Sequence, residues 1–161
     1  MKSKAKGDSM NISDCMKRNV ISISETATIR EAAAVIVKKH IGLLPVVDGN
    51  NKLVGVVGLS DLLNLELPDF VNFVADVDFV HDFGAVETTR PTAKTLDKPI
   101  KSLMQDAIMV EEDNGLLRVY ALMLQHHLHD IPVVSNDGDL IGVASRVDIG
   151  AAILSSWAKV D

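Results

Sequence analysis

The chain contains an internal repeat. Residues 29–61 align with residues 116–148 at a constant offset of 87 positions, without a gap, and 9 of the 33 aligned pairs are identical. The identities cluster in a Pro-Val-Val triplet and in a Leu-x-Gly-Val-x-x-x-x-Asp motif that ends at Asp61 in one copy and Asp148 in the other. Such self-similarity indicates one supersecondary unit built twice. We therefore expect two units of the same fold.

Each copy shows the same order of secondary-structure signals. In the first copy, Thr28 and Glu31 have the spacing of a capping box, and the apolar residues that follow recur at helical spacing. Two short apolar runs come next, separated by turn residues, and Ser60 and Asp61 then open another helix. The predicted segments are a helix from residue 29 and strands 44–47 and 53–57 in the first copy, a helix from residue 116 and strands 132–134 and 140–144 in the second, and short extended leads at 20–24 and 108–111.

Composition limits the possible functions. Only 4% of the residues are aromatic against 47% hydrophobic, so the core is expected to be aliphatic. A net charge of −6 argues against a broad nucleic-acid-binding face, and Lys2, Lys4 and Lys6 are expected to be a frayed terminus. Cys15 is the single cysteine, so no internal disulfide can form. Without a secretion signal or an apolar run of membrane-spanning length, we expect a cytoplasmic protein.

The segment 64–99 between the copies differs from both. It holds all four phenylalanines, interspersed with aspartates, and the stretch 84–99 is expected to be a loop. The phenylalanines trace a rough helical stripe, which indicates either an acidic helix covering the core or a surface for a partner or a second copy. The effector-binding stretch on the second interpretation would be 66–83. The phenylalanines are Phe70, Phe73, Phe79 and Phe83.

The motifs G-V-V-G-L-S-D at 55–61 and G-V-A-S-R-V-D at 142–148, each after a Pro-Val-Val run, resemble the CBS domain. Two such domains in tandem are called a Bateman module. The resemblance covers residues 10–63 and 100–158 and leaves 64–99 as a helical insert. It implies an α/β (α+β) fold of two βαββα repeats about a pseudo-two-fold axis. It also implies two clefts for adenine nucleotides or S-adenosylmethionine, and pairing into a homodimer.

Residue chemistry supports a ligand site near the end of the second copy. Ser145 and Asp148 stand where a strand meets a helix, and a helix start favours phosphate. Asp148 can accept hydrogen bonds from two ribose hydroxyls, Gly142 permits close backbone approach, and Val143 offers an apolar wall to a purine. The alternative interpretation is that Ser-x-x-Asp is only a capping box that starts the helix.

The resemblance adds residues that would hold the base. The main cleft would take Met16, Asn19, Ile21, Ile41 and Gly42. The second, mirror cleft would pair Val56 and Asp61 with Met104, Ala107, Met109, Leu128 and His129. Since Gly58 replaces the family's Ser or Thr, we expect this second cleft to be weaker or empty.

The phosphate end departs from the family pattern. His129 fits one basic position, but Asp130 replaces an arginine, and Arg146 is the candidate replacement cation. A carboxylate beside a polyphosphate is unfavourable, so a monophosphate or an uncharged adenosine derivative is favoured over a triphosphate. The run His126-His127-x-His129 could suggest zinc, but adjacent helical residues diverge, and no metal site is expected.

These patterns predict a regulatory sensor, not an enzyme. No arrangement of nucleophile and base, and no phosphate-binding glycine loop, occurs in a sensible context. The ligand would be AMP, ADP, ATP or S-adenosylmethionine, bound as a regulator, and no cofactor is required. No nucleic acid or membrane partner is expected. The alternative is a ligand-free module for dimerisation or protein interaction.

Overall fold

The computed structural model describes residues 9–65 and 90–158. They divide into two compact units. Unit A comprises residues 9–21, 47–53 and 107–158, and unit B comprises residues 22–46, 54–65 and 90–106. The expected stripe Phe70, Phe73, Phe79 and Phe83, the partner stretch 66–83 and the terminal lysines Lys2, Lys4 and Lys6 lie outside the described residues.

The first repeat forms a three-stranded sheet with helices. The expected capping box starts its first helix: Thr28 Oγ1 accepts from the Glu31 amide at 3.2 Å, and Glu31 Oε2 accepts from the Thr28 amide at 2.7 Å. The strands lie in the order β1-β2-β3. The elements are β1 (Ile23–Ser24), α1 (Ile29–Lys39), β2 (Leu43–Val47), β3 (Leu53–Gly58) and α2 (Leu59–Leu63).

The stretch 84–99 was expected to be a loop. The structure describes residues 90–99 of it, and one helical turn there contradicts that expectation. Residues Ala93–Leu96 form the short helix α3, because Thr92 caps it by accepting from the Thr95 amide at 3.2 Å. A 3-10 turn, Ile100–Ser102, follows.

The second repeat has the same order of elements. Its strands form the sheet β4-β5-β6, in which β4 is parallel to β5 and β5 is antiparallel to β6. The register pairs Asp130 with Ser145 and Pro132 with Val143. The predicted two-repeat α/β fold is therefore confirmed. The elements are β4 (Val110–Glu111), α4 (Leu116–Gln125), β5 (Asp130–Val134), β6 (Leu140–Ser145) and α5 (Arg146–Trp157).

The segment before each repeat packs in the unit of the other repeat. In unit A, the N-terminal segment joins the second repeat: the Ile12 amide donates to the Asn114 carbonyl at 2.9 Å, and Lys17 pairs with Val143. In unit B, residues 98–105 join the first repeat, where Val56 pairs with Gln105. The sequence repeats and the compact units thus have different boundaries.

Each unit has an aliphatic core, as the composition predicts. The buried hydrophobic residues of the described ranges are aliphatic or methionine. Unit A buries Ile12, Met16, Val110, Leu116, Val119, Met123, Ile131, Val133, Ala144 and Ile149 in one cluster. Unit B buries Ile23, Ile29, Ala32, Ile36, Leu44, Val46, Val57 and Ile100.

The repeated histidine has a backbone explanation. His40 and His127 have φ of 57° and 55°, which places both in the left-handed region just after the first helix of their repeats. Histidine is among the few non-glycine residues enriched in this conformation. The identity between these positions therefore accompanies a shared way of ending a helix.

Candidate ligand-binding site at the start of the last helix

Ser145 and Asp148 form a reciprocal capping box at the start of α5. Ser145 Oγ accepts from the Asp148 amide at 3.0 Å, and Asp148 Oδ2 accepts from the Ser145 amide at 2.9 Å. The capping interpretation of this motif is thus realised. It does not exclude a ligand role, because a carboxylate has two oxygens and about four acceptor positions. The side chain of Asp148 is 21% exposed, so solutes can reach it.

The corresponding helix start in unit B lacks the hydroxyl. Asp61 Oδ2 accepts from the Gly58 amide at 2.7 Å, but Gly58 has no side chain to return the contact. Both helices therefore begin with an aspartate that caps a backbone amide. The caps of the two helices differ by the hydroxyl that Ser145 supplies.

The N-terminal segment lies directly against β6. The Lys17 amide donates to the Val143 carbonyl at 2.9 Å, and the Val143 amide returns the bond to the Lys17 carbonyl at 3.0 Å. Gly142 makes this approach possible, since a Cβ there would lie 2.4 Å from Met16 Sδ. Met16 and Val143, both predicted as site residues, are therefore brought together beside the start of α5.

A lysine that the sequence interpretation did not include completes this surface. Lys17 Nζ lies 3.6 Å from Asp148 Oδ2, and its side chain is 70% exposed. Partial burial would raise the pKa of Asp148, but the hydrogen bonds from Ser145 and the positive charge of Lys17 outweigh it and lower that pKa. Asp148 is accordingly held as a carboxylate, the form that accepts hydrogen bonds from hydroxyls.

Asp130 faces the same region, because it pairs with Ser145 in the sheet and paired residues place their side chains on one face. Burial raises the pKa of the Asp130 carboxyl, and the negative charge of Asp148 adds to this effect. Lys17 and His129 oppose the rise with their positive charges. The site therefore contains two carboxyl groups whose closeness disfavours further negative charge.

Arg146 is held by the residues that precede β5. Its amide donates to the His129 carbonyl at 3.0 Å, and its Nε donates to the Leu128 carbonyl. The amides of Ser145, Arg146 and Asp148 thus all have acceptors within the protein. These three amides are therefore not free to bind a phosphate, because the capping box and the His129 carbonyl occupy them.

The remaining predicted residues divide between the units. Asn19, Ile21 and Met109 lie in unit A, and Ile41 and Val56 lie in unit B. Met109 is 46% exposed and lines a groove of about 380 Å³ along α4.

Two further predicted residues, Gly42 and Leu128, make backbone contacts within their own units. The Gly42 carbonyl accepts from the Leu59 amide at 2.9 Å, which places Gly42 at the start of the helix that carries Asp61. The Leu128 carbonyl accepts from Arg146 Nε in unit A. The physical reason is the sheet: the residues before β2 and β5 lie next to the ends of β3 and β6 in their own repeats.

One signal in the sequence indicated that a cation is missing, but it did not identify Lys17. Asp130 stands where the resembling family has a cation, and a missing positive charge near a phosphate site raises the question of which residue replaces it. Arg146 was the candidate by sequence proximity. Only the pairing of Lys17 with Val143, 126 positions further along the chain, brings the lysine to this site.

Comparison with known proteins identifies the class. A model of the CBS domain family matches residues 12–67 and 100–155. The chain therefore belongs to the CBS domain family and carries two copies of the domain. CBS pairs generally act as regulatory modules.

Particular relatives refine this assignment. CBSX2, a chloroplastic CBS domain-containing protein of Arabidopsis thaliana, is 31% identical over 159 residues, which cover 93% of this chain and 66% of CBSX2. The structure of CBSX2 in complex with AMP matches with a TM-score of 0.69 at 27% identity, covering 91% of this chain and 98% of that one. The CBS domain pair of MJ0100 in complex with 5′-methylthioadenosine and S-adenosyl-L-methionine matches in fold, with a TM-score of 0.64 at 22% identity over 91% and 98% of the two chains.

An enzyme also contains a related segment. Homoserine O-acetyltransferase of Methanocorpusculum labreanum is 28% identical over 134 residues, which cover 83% of this chain but 22% of that protein. The match thus concerns a limited part of the acetyltransferase.

Two further findings concern the described ranges only. None of their helices is both long and apolar enough to cross a membrane. Their histidine, cysteine, aspartate and glutamate side chains form no group of three placed to hold a metal ion.

Proposed function

We propose that this CBS pair is a regulatory sensor that binds AMP, or an adenosine derivative with no more than one phosphate, at the start of α5. Asp148 would accept the ribose hydroxyls, Ser145 would contribute its hydroxyl, and Val143 with Met16 would provide the apolar wall. Asn19, Ile21 and His129 are further candidates from the same unit. Binding of this ligand would regulate without a catalytic step and without a cofactor.

The observation that carries the proposal is the charged, partly exposed carboxylate of Asp148 beside an apolar strand residue and a cation. An adenosine monophosphate combines the three matching groups: a diol, a purine and an anion. The relative CBSX2 was solved with AMP, which supports this ligand class. The carboxyl groups of Asp130 and Asp148 argue against ADP and ATP, since each added phosphate brings further negative charge to the same surface.

Isothermal titration with AMP tests the site, using Asp148→Asn and the matched variant Asp61→Asn. Asparagine keeps an oxygen for the backbone amide and removes the negative charge that the ribose would use. Losing hydrogen bonds to a charged group costs about 1.5–3 kcal/mol, so the AMP Kd of Asp148→Asn should rise roughly 10- to 100-fold. Asp61→Asn should leave the AMP Kd of the site at the start of α5 unchanged. Equal effects of the two variants, or no AMP binding by the wild type, would contradict the proposal.

The second candidate function is a ligand-free interaction module that forms a homodimer or binds an effector. Exposed apolar side chains on the unit A helices favour it: Leu117 is 73% exposed, Leu154 54% and Trp157 67%. A thermal-shift panel of AMP, ADP, ATP and S-adenosylmethionine, read with light scattering, separates the two. A dimer that none of these ligands stabilises would favour the second function. Stabilisation by AMP above ATP would favour the first.

A further inference from the structure

Hydrogen bonds hold the backbone of Lys17, whereas its charged side chain is exposed. The two hydrogen bonds between the Lys17 and Val143 backbones hold its Cα against β6. Its side chain is 70% exposed, and its ammonium lies 3.6 Å from Asp148 Oδ2, which is longer than an ordinary hydrogen bond. Because the lysine is this exposed and the two atoms are this far apart, the ion pair contributes little to stability, and the ammonium can change partner at small cost.

Several donors near Asp148 are already engaged within the protein. The amides of Ser145, Arg146 and Asp148 each donate within the protein. The Arg146 guanidinium donates through Nε to the Leu128 carbonyl. A phosphate that used these amides or Arg146 Nε would have to break existing hydrogen bonds, whereas Lys17 would give up only an ion pair at 3.6 Å.

The charges around Asp148 also indicate a role for Lys17. A phosphate close to Asp148 would also lie near Asp130, whose carboxyl shares the face of Ser145. Both carboxyl groups interact electrostatically with Lys17. Without that ammonium, an anionic ligand would meet two carboxyl groups, and a neutral nucleoside would not suffer the same repulsion.

We propose that Lys17 is the specificity-determining residue that lets this site prefer a nucleoside monophosphate to the uncharged nucleoside. In the free protein its ammonium pairs with Asp148. When the ribose hydroxyls occupy Asp148, the ammonium moves to the phosphate of the same ligand. This inference rests on the proposed nucleotide site and names the residue that reads the phosphate there.

The experiment measures the Kd of AMP and of adenosine for wild type, Lys17→Met, Lys17→Arg and Arg18→Gln by isothermal titration. Arg18→Gln is the matched control, because it removes one positive charge at the next position. The Arg18 side chain contacts a different group: its Nη2 donates to the Ser13 carbonyl at 3.2 Å. Lys17→Met keeps the backbone pairing with Val143, and an unchanged Tm verifies that it folds.

Lys17→Met should weaken AMP about tenfold and change adenosine less than about twofold. Lys17→Arg should restore the preference, Arg18→Gln should leave it intact, and added salt should reduce it in the wild type. If the ratio of the AMP Kd to the adenosine Kd is the same in Lys17→Met as in the wild type, Lys17 does not have this role, although the proposed site can still stand. A wild type that binds neither ligand would overturn the proposed function itself.

Discussion

Gly142→Ala should loosen the contact between the N-terminal segment and β6. The added Cβ would lie 2.4 Å from Met16 Sδ and 3.3 Å from the Lys17 carbonyl oxygen, both too close without movement. Overpacking of this kind costs about 1–3 kcal/mol. Replacing glycine by alanine restricts the unfolded chain and returns about 0.4–1 kcal/mol. The expected net loss in the free energy of unfolding is therefore roughly 1–2 kcal/mol.

Urea unfolding followed by circular dichroism measures this loss, and a double-mutant cycle assigns its cause. Met16→Ala alone should cost about 2–5 kcal/mol, because Met16 is buried in the core of unit A. If the clash with Met16 is responsible, the double variant should be more stable than the sum of the single changes by more than about 0.5 kcal/mol. Additivity within that margin, or a fully stable Gly142→Ala, would refute the reasoning.

The first repeat offers a matched comparison. A Cβ at Gly55 would lie 2.9 Å from both the Gln105 carbonyl oxygen and Met104 Sδ. The Gln105 carbonyl is held by the Val56 amide at 3.0 Å, so Met104→Ala should rescue Gly55→Ala less than Met16→Ala rescues Gly142→Ala. Gly150 in α5 is the positive control: a Cβ there meets nothing within 4 Å, and alanine should stabilise the helix by up to about 1 kcal/mol.

Two further predictions concern charge and the missing hydroxyl. Burial raises the pKa of Asp130 in the folded state, so the native protein holds that proton more tightly and stability falls as pH rises from the ordinary carboxyl range through the folded pKa. Asp130→Asn should therefore raise the urea midpoint of unfolding at pH 7 and strengthen AMP binding. Near pH 3 it should give no gain in stability. The same gain in stability at both pH values would contradict this prediction. Gly58→Ser should add the cap that Ser145 provides in the other repeat, since φ at Gly58 is −95° and its Cβ would sit 3.3 Å from Asp61 Oδ2. The helix should gain a few tenths of a kcal/mol and AMP stoichiometry should rise in titration; an unchanged stoichiometry would mean that the hydroxyl is not what distinguishes the two copies.

Local signals predicted most elements of the fold. Thr28 with Glu31 marked the start of α1, and Ser145 with Asp148 marked that of α5, because capping depends on residues three positions apart. The one-turn helix at 93–96 was missed, since four residues carry no periodic signal. Thr92, which accepts from the amide three positions on, was the only cue.

Local sequence patterns determine only part of the candidate site. The sequence by itself determined that the chain repeats, that each copy carries a capping aspartate, and that Gly58 makes the copies unequal, because these are properties of short segments and their spacing. Only the tertiary structure decided that the N-terminal segment packs against β6, where Lys17 reaches Asp148 and Met16 faces Gly142. That pairing joins residues more than a hundred positions apart. It depends on which strand edge is open and on the absence of a Cβ at one glycine, and no local pattern in the chain records either.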